Sequence, residues 1–218
     1  MRMRKKKNRD QRFLNCISLA EVNPENNKGK WNLVFENQNP IHLEIGCGKG
    51  GFVTECAKQN PNINFVALEK CLDVIILAME KVKENGLTNV RFILSDAEKL
   101  TDIFEENEVS VIYLNFSDPW KKSKQAKRRL TYRTFLKIYE QILKPEGEVR
   151  FKTDNRPLFD FSLEEFENYG ANVSNVTFDL HNSVYNDSNI QTEYEKNFSA
   201  QGFTINRCVV KFTNIRKK

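Results

Sequence analysis

The chain has 218 residues, with 34 Lys and Arg against 29 Asp and Glu, a formal excess of +5 at pH 7. At 39% hydrophobic and 29% charged residues it has the make-up of a folded chain of one domain or at most two small ones, which excludes wholesale disorder. No apolar run approaches the roughly 20 residues of a membrane helix, the opening Met-Arg-Met-Arg-Lys-Lys-Lys leads into no signal-peptide core, and five cysteines without a CxxC pair suit reduced thiols in a cytoplasm.

Residues 1–30 open the chain as a basic, Asn-rich stretch, expected to be a flexible arm; within 1–12 seven basic residues face only Asp10. Residues 31–35 lead into a first strand, Ile41 to Ile45, followed by a Gly-rich turn and a helix over 52–59. Asn64 to Glu69 reads as a second buried strand. The spacing of Leu72, Ile75, Ile76, Met79 and Val82 predicts a helix over 71–85, stopped by Gly86. A third strand spans 90–94 and a helix 97–105. Residues 109–116 form a fourth strand, apolar nearly throughout, as in a strand covered on both faces.

Residues 132–143 fit a helix closed by Pro145 and Gly147. A fifth strand covers 148–153, and Pro157 opens a helix to Tyr169. Residues 173–180 and 203–212 read as a closing strand pair. Between them, 181–201 is polar, irregular and too long for an ordinary hairpin connection, the mark of a functional loop. Strands alternating with helices imply an α/β domain on a mostly parallel sheet, whose ligands lie beyond the carboxyl ends of the strands. The polar residues closing those strands are Glu44 to Gly46, Glu69, Asp96, Asn115 to Trp120 and Asp154.

The turn Glu44-Ile45-Gly46-Cys47-Gly48-Lys49-Gly50-Gly51 is G-x-G-x-G, neither a dinucleotide fingerprint nor a P-loop. Glu44 would repel a pyrophosphate there and suits a ligand amine. Glu69, about 20 residues beyond the glycines, is placed for ribose hydroxyls, and Asp96 for an adenine amino group. An amine, a ribose and an adenine without phosphates describe S-adenosylmethionine, with Glu44, Gly46, Gly48, Glu69 and Asp96 as the residues that bind it. Ordinary turn glycines and capping carboxylates are the plainer alternative.

Asn115-Phe116-Ser117-Asp118-Pro119-Trp120 follows the fourth strand, and Pro119 restrains Asp118 to extended geometry. From Lys121 to Arg133 seven basic residues occur without an acid, among them Lys122, Lys124, Lys127, Arg128 and Arg129. Like charges packed together repel, and a polyanion such as RNA offsets the repulsion, so this cluster reads as phosphate-binding. His42 and His181 are isolated and the cysteines lack ligand spacing, so no metal site is expected. Cys47 and Trp31 read as packing groups.

From residue 31 to about 212 the chain resembles the bacterial tRNA (guanine-N7)-methyltransferases, a class I S-adenosylmethionine-dependent family. The resemblance rests on HLEIGCGKGGF (42–52), LEK (68–70), NFSDPW (115–120), KRRLTY (127–132), FKTDN (151–155) and TEYE (192–195). It implies a Rossmann-like class I methyltransferase fold over 31–218: a seven-stranded, mostly parallel sheet with an antiparallel C-terminal strand and helices on both faces. It implies Glu44, Glu69, Asp96 and Asp118 as donor-binding acids, with Asp118 also the active-site residue. It places Lys122, Asp154, Thr192, Glu193, Tyr194 and Glu195 on the guanine, and tRNA as the partner of a monomer or homodimer. The family pattern Asp-Pro-Trp-Pro-Lys is altered here: Lys121 replaces the second Pro, and Ser123, Gln125 and Ala126 interrupt the basic stretch. A non-catalytic RNA-binding protein and a small-molecule methyltransferase are the competing functional readings.

Overall fold

The computed structural model describes residues 8–212, so Arg2 to Lys7 and Arg216 to Lys218 of the basic termini lie outside the described residues. Seven strands, β1 (Ile41–Ile45), β2 (Asn64–Glu69), β3 (Val90–Leu94), β4 (Val109–Asn115), β5 (Leu143–Thr153), β6 (Asn172–Thr177) and β7 (Asn206–Lys211), form one sheet in the order β3-β2-β1-β4-β5-β7-β6. The pairs from β3 through β5 are parallel, and β7 runs antiparallel to both β5 and β6. This is the α/β arrangement that the alternation of apolar runs predicts.

Strand residues alternate between two faces, and each face buries its own core. Leu43, Ile45 and Leu114 pack with Phe135, Tyr139 and Phe159 from α6 (Arg133–Ile142) and α7 (Arg156–Tyr169). On the other face Phe65 and Tyr113 pack with Phe52 and Val53 of α3 (Gly51–Gln59) and Met79 of α4 (Leu72–Glu84). Trp31 is fully buried, its indole N–H donating to Ile103 O at 3.2 Å. None of the described helices is long and apolar enough to cross a membrane.

Several boundaries differ from the sequence expectation. Residues 8–30 do not stand apart as an arm. Helix α1 (Arg9–Asn15) ties Arg12 to Glu80 of α4, Cys16 and Leu19 are buried, and Ala20 bridges to Phe92 of β3. Apolar side chains at 13, 16 and 19, directly after the basic run, drive this packing and cover the sheet's β3 edge. Residues 31–35 form a short helix, α2 (Trp31–Phe35). Strand β5 starts at Leu143, because four of its residues bulge against one of β4, between the pairs Val109–Leu143 and Val111–Glu148. The expected helix over 97–105 is a 3-10 turn leading into α5 (Leu100–Ile103). The segment 181–201 carries a helix, α8 (Glu193–Ser199).

Candidate active site

The chain builds outward from β1 through β2 to β3 and then crosses back to β4, so the sheet order reverses between β1 and β4. A crevice opens at the carboxyl ends of such a pair. Gly46, Gly48 and Gly50 leave β1 with φ of 78°, 55° and 75°, a left-handed path that side chains resist. At Gly50 a Cβ would stand 2.6 Å from the Ala78 Cβ, so glycine lets the loop lie against α4. Glu69 is pinned over this loop: one carboxylate oxygen accepts from Gly48 N at 3.2 Å, the other from Lys70 N and Cys71 N at 2.9 and 3.0 Å.

A cavity of about 370 Å³ brings Gly46, Glu69, Asp96 and Asp118 together, with Trp120 and Phe135 as apolar walls. Asp96 and Asp118 are exposed in it, and Asp96 also accepts from Glu98 N at 3.2 Å. Phe116 and Trp120 take left-handed φ of 53° and 40°, so the loop between them is held in a costly conformation around Asp118. The guanidinium of Arg129 supplies the restraint, donating to Pro119 O at 3.0 Å and Trp120 O at 3.1 Å.

A second cavity of about 330 Å³ shares Gly46, Asn115 and Phe116 with the first and adds Glu44, Gly48 and Tyr194. Glu44 is buried; its Oε1 accepts from Asn115 Nδ2 at 3.1 Å and its Oε2 makes no good hydrogen bond among the described residues. Burial pushes its carboxyl up to about 7, against the opposing pull of the Asn115 amide and Lys152. A buried carboxylate with a free oxygen at the edge of a cleft is a receptor for a cation. The acids and the glycine turn together fit a donor with a positive centre, an amine and a ribose.

The profile of a family described as putative methyltransferases matches residues 38–208. The tRNA (guanine-N(7)-)-methyltransferase of Bacillus subtilis (strain 168) is 50% identical over 212 residues, 97% of this chain and 99% of that one. Its counterpart from Geobacillus sp. (strain WCH70) is 49% identical, covering 97% and 96%. The chain belongs to the tRNA (guanine-N(7)-)-methyltransferase family. Among solved structures, the 16S rRNA methyltransferase KamB superposes with a TM-score of 0.63 at 13% identity, covering 84% of this chain and 93% of that one. An antibiotic-related methyltransferase gives 0.61 at 17% identity, covering 84% and 92%. These two speak for the fold alone.

Four residues that the family resemblance sets on the guanine lie at the start of α8, and they divide into two pairs. Thr192 and Glu195 form a reciprocal cap, Thr192 Oγ1 accepting from Glu195 N at 2.9 Å. The Glu195 carboxylate is fully buried and receives Lys152 Nζ at 2.7 Å, Asn189 Nδ2 at 2.7 Å and His181 Nε2 at 2.9 Å. Burial alone would raise its pKa, but Lys152 and the other donors hold it below the usual carboxylate range. Glu193 and Tyr194 are exposed and line the cavity. Tyr194 stacks on Phe198 at 4.0 Å and meets Phe116 at 5.0 Å, and burial together with the nearby Asp154 charge raises the pKa of its hydroxyl.

Lys122 is exposed at the start of a 3-10 turn over Ser123–Arg128, and neither it nor Asp154 lines the two cavities. Lys124 and Lys127 are exposed as well. Arg128 lays its guanidinium over the Trp120 ring at 4.2 Å, covering one face of a ring otherwise free to stack on a base. Arg129 sits over Phe161 at 4.1 Å in addition to its two carbonyls, so its role in this geometry is to brace the Asp118 loop. Sequence pattern alone does not reveal Asn115 as the partner of Glu44 or Lys152 as the partner of Glu195. Lys152 is one of several charged residues in β5, so no sequence signal singles it out. Cys47 is buried and burial raises its thiol pKa, as suits a packing group.

Proposed function

We propose that the protein transfers a methyl group from S-adenosylmethionine to N7 of a guanine in the variable loop of tRNA. The observation that carries this is the buried, half-satisfied carboxylate of Glu44 beside a cleft lined by Glu69, Asp96 and Asp118, in a basic chain of this family. The bound donor supplies an electrophilic methyl group on a sulfonium. Glu44 attracts the donor's cationic end, and Glu69, already anchored on Gly48, is preorganised for hydroxyls.

Guanine N7 carries an in-plane lone pair and no proton, so the reaction needs no obligatory general base. As the purine becomes cationic, Asp118 in the cleft and Asp154 beside Tyr194 set negative charge near it. Lys122 donates to guanine O6 and so distinguishes guanine from adenine. Lys124 and Lys127 hold backbone phosphates, and Tyr194 offers a face to the base. Arg129 keeps Asp118 in position, and in-line positioning contributes to the rate of such a transfer.

The test is incubation with unmodified tRNA and methyl-labelled S-adenosylmethionine, followed by mapping of the label through the chemical lability of 7-methylguanine. Label at N7 of a variable-loop guanine, lost by orders of magnitude in Asp118→Ala with tRNA binding retained, is the expected result. Label on another atom, or turnover that tRNA does not stimulate, contradicts the proposal.

A further inference from the structure

The acid-lined cleft has an opposite in charge. A third cavity, about 430 Å³, lies against the β4-β5-β7 part of the sheet under residues 185–190, and none of its lining residues is an acid. Arg150, Lys152 and Arg207 line it together with His42, Tyr113 and Tyr185. The three cations share one sheet face by register: Lys152 stands directly opposite Arg207 across the β5–β7 pair, and Arg150 is two residues along β5.

Two of the three charges are compensated by carboxylates. Lys152 is held by Glu195, and Arg150 donates through Nε to Glu148 at 2.6 Å. Arg207 makes no close ion pair with a carboxylate among the described residues, although the Glu148 charge still reaches it. Its guanidinium donates to Asn175 O at 3.3 Å and lies over the Tyr185 ring at 4.9 Å. Burial and the nearby Arg150 charge both weigh against its proton and lower its pKa. Like charges directly across a strand pair destabilise a sheet unless a counter-charge completes them. His42 does not add to the positive charge, because burial lowers its pKa to about 4.

We propose that this cavity is a second ligand site that takes a phosphate group on Arg207 and Arg150, carried by a ligand of nucleotide size. Paired guanidinium forks match phosphate oxygens, and the volume lies in the range of small-molecule sites. Asn115, which holds Glu44, also lines this cavity, so a ligand here touches the wall of the donor cleft. The same phosphate chemistry is present in a free nucleotide and in the backbone of bound tRNA.

Guanosine 5′-monophosphate and inorganic phosphate are titrated into the full chain at low salt, with the Nε–H signals of Arg150 and Arg207 followed by NMR. Selective shifts of both signals are expected. Arg207→Gln weakens binding about tenfold and Arg207→Lys weakens it less, with affinity for the methyl donor unchanged. If tRNA affinity falls in Arg207→Gln and free phosphate competes with tRNA, the phosphate comes from the RNA; if tRNA affinity holds, it comes from a free nucleotide. Unmoved arginine signals in the wild type overturn the proposal without recourse to a variant. So do equal affinities for guanosine 5′-monophosphate, phosphate and tRNA in wild type and a folded Arg207→Gln.

Discussion

The Lys152 ammonium and the Glu195 carboxylate meet at 2.7 Å, with Glu195 wholly shielded from solvent and Lys152 nearly so. Their 43-residue separation in sequence makes this the long-range bond that seats α8 on the sheet. Because Gly51 lies so near that a Cβ would stand 2.9 Å from Glu193, the same seating sets the gap between α8 and the glycine turn. Lys81 of α4 also pairs with Glu193.

Removing one member of this pair leaves the other buried and unpaired. Glu195→Ala is expected to destabilise the protein by about 3–5 kcal/mol in urea unfolding, and Lys152→Met by a comparable amount. The Lys152→Met/Glu195→Leu double variant should recover most of that loss, because no charge is then stranded. A loss under about 1 kcal/mol in Glu195→Ala contradicts a seating role.

On the proposed role of Glu44, donor binding is expected to depend on pH. Its folded pKa is about 7 against an ordinary value of 4.5, so between those values the folded protein holds more protons than the unfolded one. The ligand-free protein therefore loses stability as pH rises from about 4.5 to about 7, and this group adds no further change above that. A cationic donor favours the ionised form, so its binding releases a proton below about pH 7 and tightens about tenfold from pH 6 to pH 8. Calorimetry in buffers of different ionisation enthalpy measures both effects, and Glu44→Gln should abolish them.

Arg129 and its basic neighbours have separable jobs. Arg129→Lys loses the two-pronged grip on the Pro119 and Trp120 carbonyls, so kcat is expected to fall about tenfold with little change in tRNA affinity. Steady-state kinetics with tRNA as the varied substrate tests this. A rise in KM at constant kcat would assign Arg129 to RNA binding instead.

Lys124→Ala/Lys127→Ala should do the reverse, weakening tRNA binding and reducing the slope of log affinity against log salt by about two, since each lysine neutralises one phosphate. Filter binding across a salt series reads that slope. An unchanged slope means that these lysines do not reach phosphate.

The acid-lined cleft was legible in the sequence because the ends of successive strands put Glu44, Glu69, Asp96 and Asp118 at the carboxyl end of one sheet. Helix α8 was not, since its seven residues expose mostly polar groups and its anchor comes from β5. Thr192-x-x-Glu195 did carry a capping signature, yet the same two residues also belong to a family motif. The basic stretch was legible only as charge: density marks phosphate affinity, and geometry adds that Arg128 and Arg129 also hold a tryptophan ring and two carbonyls. Residues 8–30 looked like a tail because seven early charges mask the three apolar side chains that dock it.

A crystal structure of the protein with S-adenosylhomocysteine, the spent donor, addresses the central claim most directly. Ligand density in the cavity shared by Gly46, Glu69, Asp96 and Asp118, with Glu44 at its edge, is the predicted result. Density in the arginine-lined cavity, with no ligand in the acid-lined one, would contradict it.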